Sequence, residues 1–375
     1  MLFQFSADSQ ELKIGLFNEN AIQTFIFTSE TGNYQLHFDS ISSIQVERGS
    51  LLYISLLDSQ LSIRDAESRS QLISHARLIS TDSSATFSLR PAYPAMDARK
   101  YQGNCFFTAG IGRIQAVNEI KLNDYLSAVV AAEGGTSASI EFYKAQAVLC
   151  RTFLLAHTTK HATDGFNVCD AVHCQAYYGI NNRNPAIREA VIATDNEVAV
   201  YADTMLITAA YHSNCGGETQ NSENEWLLML PYLRSVKDSF CLNARNGKWE
   251  LKIPKTKWLN YLAKNGIKYN QNDSLQSVNF AQLSRKAYYV VDGDSLAFRK
   301  IRNDWGLKSS FFSVQADSTG DILLHGKGYG HGIGMCQLGA MNMAQRGYNY
   351  KDILKFYFSS ITVRKSDEIR SAPFY

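Results

Sequence analysis

Residues 121–135, KLNDYLSAVVAAEGG, mark the place where the chain changes period. Upstream, short pieces alternate apolar and polar residues as strands do; here Leu126, Val129 and Val130 recur at helical spacing. Asn123 or Asp124 can cap such a helix, and Gly134 with Gly135 can stop it. The next position on the apolar face is 133, where another hydrophobe is expected and a glutamate stands. An apolar face and the negative end of the helix dipole both favour the protonated form of Glu133, and the glycines beside it open backbone space for a ligand. A carboxyl kept protonated near neutrality is what a general acid requires. The competing reading is a last-turn glutamate rotated off the core by fraying.

Outward from this stretch, the first hundred residues read as strands: LKIGLF, TFIFTS, YQLHFD, SLLYISLL and ATFSLRP, with RIQAVN following, separated by Ser, Asp, Asn and Gly. Beyond residue 135, EFYKAQAVLCRTFLLAHTTKH continues the helical period, and EVAVYADTMLITAAYHS returns to strand. The expectation is an α+β chain with a β-rich region over 1–100, a mixed α/β core over 101–244 and 321–375, and an insertion or small subdomain over 245–320. No repeat and no low-complexity segment interrupts it.

With 375 residues, 45% of them apolar and 19% charged, the chain can bury a substantial core. A net charge of +2 gives no basic footprint for nucleic acid. No apolar run approaches the roughly 20 residues of a membrane helix, and MLFQFSADSQ has no signal-peptide pattern, so a cytoplasmic protein or a chain lacking its signal or anchor is expected. Seven cysteines are an odd count for a disulfide framework.

Four stretches could carry chemistry besides Glu133. Arg151 shares a face with Val148 and Leu155 and could hold a substrate oxygen bidentately, orient Glu133, or form a structural ion pair. HATDGFNVCDAVHCQAYYG places His161, Cys169, His173 and Cys174 within fourteen residues, a complete tetrahedral set for a closed structural Zn²⁺, with a Cys169–Cys174 disulfide or unpaired loop residues as alternatives. YHSNCGGETQNSENEW offers Cys215 beside His212, and a Cys215–Cys241 bridge is at least as plausible as a nucleophile there. GKGYGHGIGMCQLGAMNMAQRG satisfies neither G-x-G-x-x-G nor G-K-[ST]. Its alternating glycines suggest an extended strand with a flat backbone shelf for a bulky ligand, or simply two backbones packed closely.

Together DYLSAVVAAE, YKAQAVLCRTF, CDAVHCQAYYG, AAYHSNCGGET with PYLRSVKD, and GHGIGMCQLGAMNMAQRG resemble, in order, the SpoIID family, the stage II sporulation protein D group whose relatives include the amidase enhancer LytB. The resemblance spans about 101–240 and 320–361. It implies an extracytoplasmic protein acting on peptidoglycan glycan strands, a lytic transglycosylase preferring strands without stem peptides, or a glycan-binding enhancer of a cell-wall amidase. It implies Glu133 as the catalytic acid, with Arg151 and Lys237 as further catalytic positions. Tyr178, Gly328, Gly330, His331, Gly332, Gly334 and Gln337 are the candidates for holding sugar; zinc through His161, Cys169, His173 and Cys174 would be structural, and no cofactor is expected for catalysis. Three departures bear on the cleft: GGTSASIEFYKAQ lacks a proline-containing connection, and Cys336 and Leu338 stand where the family has Ser and Tyr.

Overall fold

In a computed structural model that describes residues 11–38, 43–65, 70–180, 183–242, 247–268 and 278–369, the strand-patterned pieces form two sheets. One runs in the order 168–169, 11–16, 113–121, 104–110, 75–80, 34–37, 43–46, and the other 99–102, 86–93, 24–31, 51–57, 60–64, 70–73. Alternation fixes which side faces inward: Leu12, Ile14 and Leu16 are all but fully buried, whereas Glu11 and Lys13 are exposed. Phe25 of one sheet meets Phe107 of the other, ring centroids 5.9 Å apart. The chain is α+β, as its periods predict.

Three helices follow: α1 (Leu122–Gly134), α2 (Ile140–Ala156) and α3 (Pro185–Ala193). Lys121 is the N-cap of α1 and makes no side-chain cap bond, so Asn123 and Asp124 do not cap it as expected; they lie inside the first turn, where Asp124 pairs with Arg188. Leu126, Val129 and Val130 are wholly buried, worth roughly 2 kcal/mol each. Gly134 sits where a Cβ would lie 2.8 Å from the Phe142 ring, so this glycine serves the contact of α1 with α2 instead of opening room for a ligand. A Pro at the start of α3 and the Asn184 side chain accepting from Ala186 N set that helix's first turn.

The chain divides between Val198 and Ala199 into two compact units, with residues from Arg364 returning to the first. No division falls at residue 100, because a relay of rings (Phe87, Tyr101, Tyr177, Tyr125) at 5.4, 5.7 and 5.2 Å runs from the sheets into α1. In the second unit the strands 248–253, 322–327 and 312–316 form an antiparallel sheet. With the helices Lys255–Lys264 and Phe298–Trp305 they enclose a separate apolar cluster reaching from Trp249 to Leu324, centred on Trp258 and Tyr289.

The glycine-rich stretch does not form the extended shelf expected from its alternation. Strand ends at Lys327, and Gly328, Gly330, Gly332 and Gly334 all take positive φ. The backbone winds against residues 210–220: Tyr329 and Asn214 exchange N–H···O bonds at 2.8 and 3.0 Å, and Gln220 N donates to Gly332 O. At Gly334, φ is +70° and a Cβ would stand 2.3 Å from Ala210 O, so only glycine fits. The helix Gln337–Gln345 follows, and Tyr350–Tyr357 closes the aromatic end.

Candidate functional site

Glu133 ends up in the last turn of α1, partly buried, where the amide of Ala176 donates to its Oε1 at 2.9 Å. That amide lies on a loop pinned at both sides. Asp170, buried, accepts from Phe17 N at 2.7 Å and from Arg99 Nη1 at 2.8 Å. Gln175 Nε2 donates to Cys150 O, and Tyr177 OH donates to Asn118 Oδ1 at 2.7 Å. Burial outweighs these donors at Asp170 and raises its carboxyl above the usual range. The connection after Glu133 that has no proline is held by Asn184 Nδ2 donating to Thr136 O, and by Ala138 N donating to Tyr143 OH.

The same loop carries the Cys/His set. Cys174 Sγ lies 3.5 Å from His161 Nε2, and His173 Nδ1 lies 3.7 Å from both Cys169 Sγ and Cys174 Sγ; all four donor atoms fall within 4.8 Å of one another. Two thiols and two imidazoles at this spacing match a closed tetrahedral Zn²⁺ site. His161 Nδ1 bonds Asp164 Oδ2 at 2.8 Å, which leaves Nε2 to face the thiols. The Lys160 ammonium depresses the His173 pKa, favouring the neutral ring that a metal needs, while burial pushes the Cys169 thiol up to about 11. Two members of this site escape sequence reading: Asp164, whose only signal is its spacing of three after His161, and the Ala176 amide, which no side-chain pattern marks.

Arg151 does not reach out to a ligand. It is wholly buried, with Nη1 donating to Glu197 O at 3.1 Å and Nη2 to Val191 O at 3.2 Å, and burial draws its pKa down to about 10. A guanidinium on two backbone carbonyls ties α2 to the end of α3 and to the residues just after it. Tyr178 is exposed, with the Arg99 guanidinium 5.0 Å over its ring. A cavity of about 780 Å³ beside α1 and α3 is lined by Asp124, Ser127, Tyr177 and Arg188 among others, and not by Glu133.

The remaining candidates belong to the second unit. Lys237 is exposed and pairs with Glu218 at 2.9 Å. His331 is not offered to a sugar as expected: its Nδ1 accepts from Ile333 N at 3.0 Å, its Nε2 donates to Tyr211 O at 3.1 Å, and burial lowers its pKa to about 4. Gln337 is buried at the start of its helix. With the glycines at 328, 330, 332 and 334 wound against residues 210–220, this stretch is packing between two backbones, the structural alternative of the sequence reading.

A model of the stage II sporulation protein family, SpoIID, matches residues 111–201, which contain Glu133, Arg151 and the whole Cys/His set. An uncharacterized protein of Brachyspira hyodysenteriae is 31% identical over 268 residues, 70% of this chain and 72% of its own length. Stage II sporulation protein D of Bacillus amyloliquefaciens is 30% identical over 285 residues, 68% of this chain and 78% of its own. The amidase enhancer of Bacillus subtilis is 30% identical over 290 residues, 64% of this chain but 40% of its own. With motifs, order and matched length in agreement, the chain belongs to the SpoIID family.

Proposed function

We propose that the chain is a lytic transglycosylase of peptidoglycan glycan strands, acting in cell-wall remodelling of the kind that sporulation requires, with Glu133 as its acid and then its base. The observation that carries this is a carboxyl at the end of α1 whose Oε1 is fixed by the Ala176 amide on a loop braced by the Cys/His set. Protonated Glu133 donates to the glycosidic oxygen between N-acetylmuramic acid and N-acetylglucosamine. The carboxylate so formed takes the proton of the muramic 6-hydroxyl as that oxygen closes on the anomeric carbon. One carboxyl serves both steps, where hydrolysis would need a second Asp or Glu. The product is a 1,6-anhydro end. Arg151 acts through the backbone it holds. Zinc on His161, Cys169, His173 and Cys174 fits as a structural ion that fixes the loop. Such a substrate lies outside the cytoplasmic membrane, so the proposal carries an extracytoplasmic site of action.

The similarity to a protein named amidase enhancer favours a second reading, in which the chain binds glycan and stimulates a separate cell-wall amidase without cutting. Mass spectrometry of products from purified strands lacking stem peptides separates the two, wild type beside Glu133→Gln. Anhydro-muramic ends made by the wild type and lost in the variant support the transglycosylase. Strands bound by both proteins and cut by neither would replace it with the accessory role.

A further inference from the structure

The second unit holds another converging set of donors that the proposed function does not use. Tyr211–His212 pairs in parallel with Met335–Cys336, which brings Cys336 against the segment carrying Cys215. Asp238 N donates to Gly217 O, and the Asp238 side chain accepts from Phe240 N at 2.8 Å to start the turn Ser239–Cys241. Three separate segments thus meet in one pocket. Cys215 Sγ stands 3.2 Å from Cys241 Sγ and 3.2 Å from Asp238 Oδ2, and the donor atoms of Cys215, Asp238, Cys241 and Cys336 all lie within 4.8 Å of one another.

We propose that Cys215, Cys241, Cys336 and Asp238 form a closed zinc site, separate from the Cys/His set of the first unit. Tetrahedral Zn²⁺ with bonds of about 2.3 Å to sulfur and about 2.1 Å to oxygen sets its ligands roughly 3.5 to 3.8 Å apart; here two pairs stand a little closer, at 3.2 Å, and every pair lies within 4.8 Å. Each of the four residues is no more than 1% exposed. Four acidic groups so placed must either stay protonated or meet a cation. The buried Arg285 is committed elsewhere, donating through Nη2 to Cys215 O and through Nε to Glu218 O.

The surroundings suit sulfur as an acceptor. Cys215 N and Gly339 N donate to Cys336 Sγ at 3.2 and 3.4 Å, and Gly217 N donates to Cys241 Sγ at 3.3 Å. Tyr357 OH donates to Asp238 Oδ2 at 2.9 Å, the kind of outer support that orients a ligating carboxylate. Gly339 lets its helix approach: a Cβ there would lie 2.4 Å from Asp238 Oδ2. A Cys215–Cys241 disulfide would account for two of these thiols and leave Cys336 and Asp238 unexplained. Thiolate ligands select a soft or borderline cation, and the carboxylate favours zinc over copper(I). Four protein ligands make the site structural, tying the start of the helix Gln337–Gln345 to the turn Ser239–Cys241.

The test is zinc content and thiol count on the full chain purified without chelator or reductant. Wild type is expected to carry one more zinc per chain than Cys336→Ser or Asp238→Asn, and Cys174→Ser to lose a zinc independently of either. If the Cys336 variant fails to fold, cobalt(II) loaded into a His161→Ala/Cys174→Ser chain gives the same answer: sulfur-to-cobalt absorption of three thiolates is expected. Equal zinc in wild type, Cys336→Ser and Asp238→Asn would overturn the proposal. So would denatured wild type titrating two thiols short of its seven cysteines, with Cys215 joined to Cys241.

Discussion

The two cysteine-bearing pockets differ in how far their donors are separated along the chain. His161 to Cys174 lie on one loop, and the first of them is already visible as a run of ligand-type residues. Cys215 and Cys336 are 121 positions apart and meet only because a two-residue parallel pairing brings their segments together. A local set announces itself in sequence; a set assembled by long-range pairing reads as scattered cysteines. The same contrast separates Glu133, whose helix is written in a fifteen-residue period, from the glycine run, whose path is set by a partner segment more than a hundred residues away.

The largest test of that contrast lies on its local side. Glu133→Gln should cut glycan-strand turnover by about 10²- to 10⁴-fold while leaving the melting temperature nearly unchanged. A small loss of turnover would mean that the helical reading found a well-placed glutamate with no chemistry. Next comes the loop itself: with the proposed structural zinc supplied a thousandfold above its Kd, removing the ion or making Cys174→Ser should lower unfolding free energy by about 4 kcal/mol. Turnover should fall in parallel, since the Ala176 amide is no longer held to Glu133; calorimetry beside product release with and without chelator reads both.

Arg151→Lys should cost about 2 kcal/mol, because a single ammonium cannot serve the carbonyls of Val191 and Glu197 from one fork. Its kcat should stay near wild type below the melting transition, whereas a direct substrate contact would show as a lost kcat or raised KM. On the non-local side, Gly334→Ala should destabilise by about 1 to 3 kcal/mol through its positive φ and its contact with Ala210 O, measured by denaturant midpoint. A further expected effect is a pH slope. His331 is held near 4 in the fold, below its ordinary 6.5, so the unfolded chain takes up the proton first. The stability it contributes is fully present above about pH 6.5 and is lost as pH falls toward 4. His331→Gln should flatten that stretch of the stability curve.

Much of the architecture was legible because strand and helix periods are local. The strands over 11–16, 24–31 and 113–121 and the helices around Glu133 and Arg151 follow from spacing alone. The N-cap of α1 was misread because Asn123 and Asp124 have capping chemistry, yet the preceding strand runs straight into the helix through Lys121. His331 looked like a ligand group because a glycine-rich setting suggests openness. Only the fold shows that both its nitrogens serve backbone partners, Tyr211 and Ile333, the first of them 120 positions away.

The sequence by itself determined the α+β composition, the glutamate at the end of an apolar helical face, the local Cys/His set and the family. The first three depend on neighbours within a few turns of chain, and the family on short motifs that follow one another in order. Tertiary structure alone decided that Arg151 spends its guanidinium on Val191 and Glu197, that Ala176 presents its amide to Glu133, and that Cys215, Asp238, Cys241 and Cys336 share one pocket. Each of these depends on which backbone groups need partners once distant segments are packed together, and no local period encodes that demand.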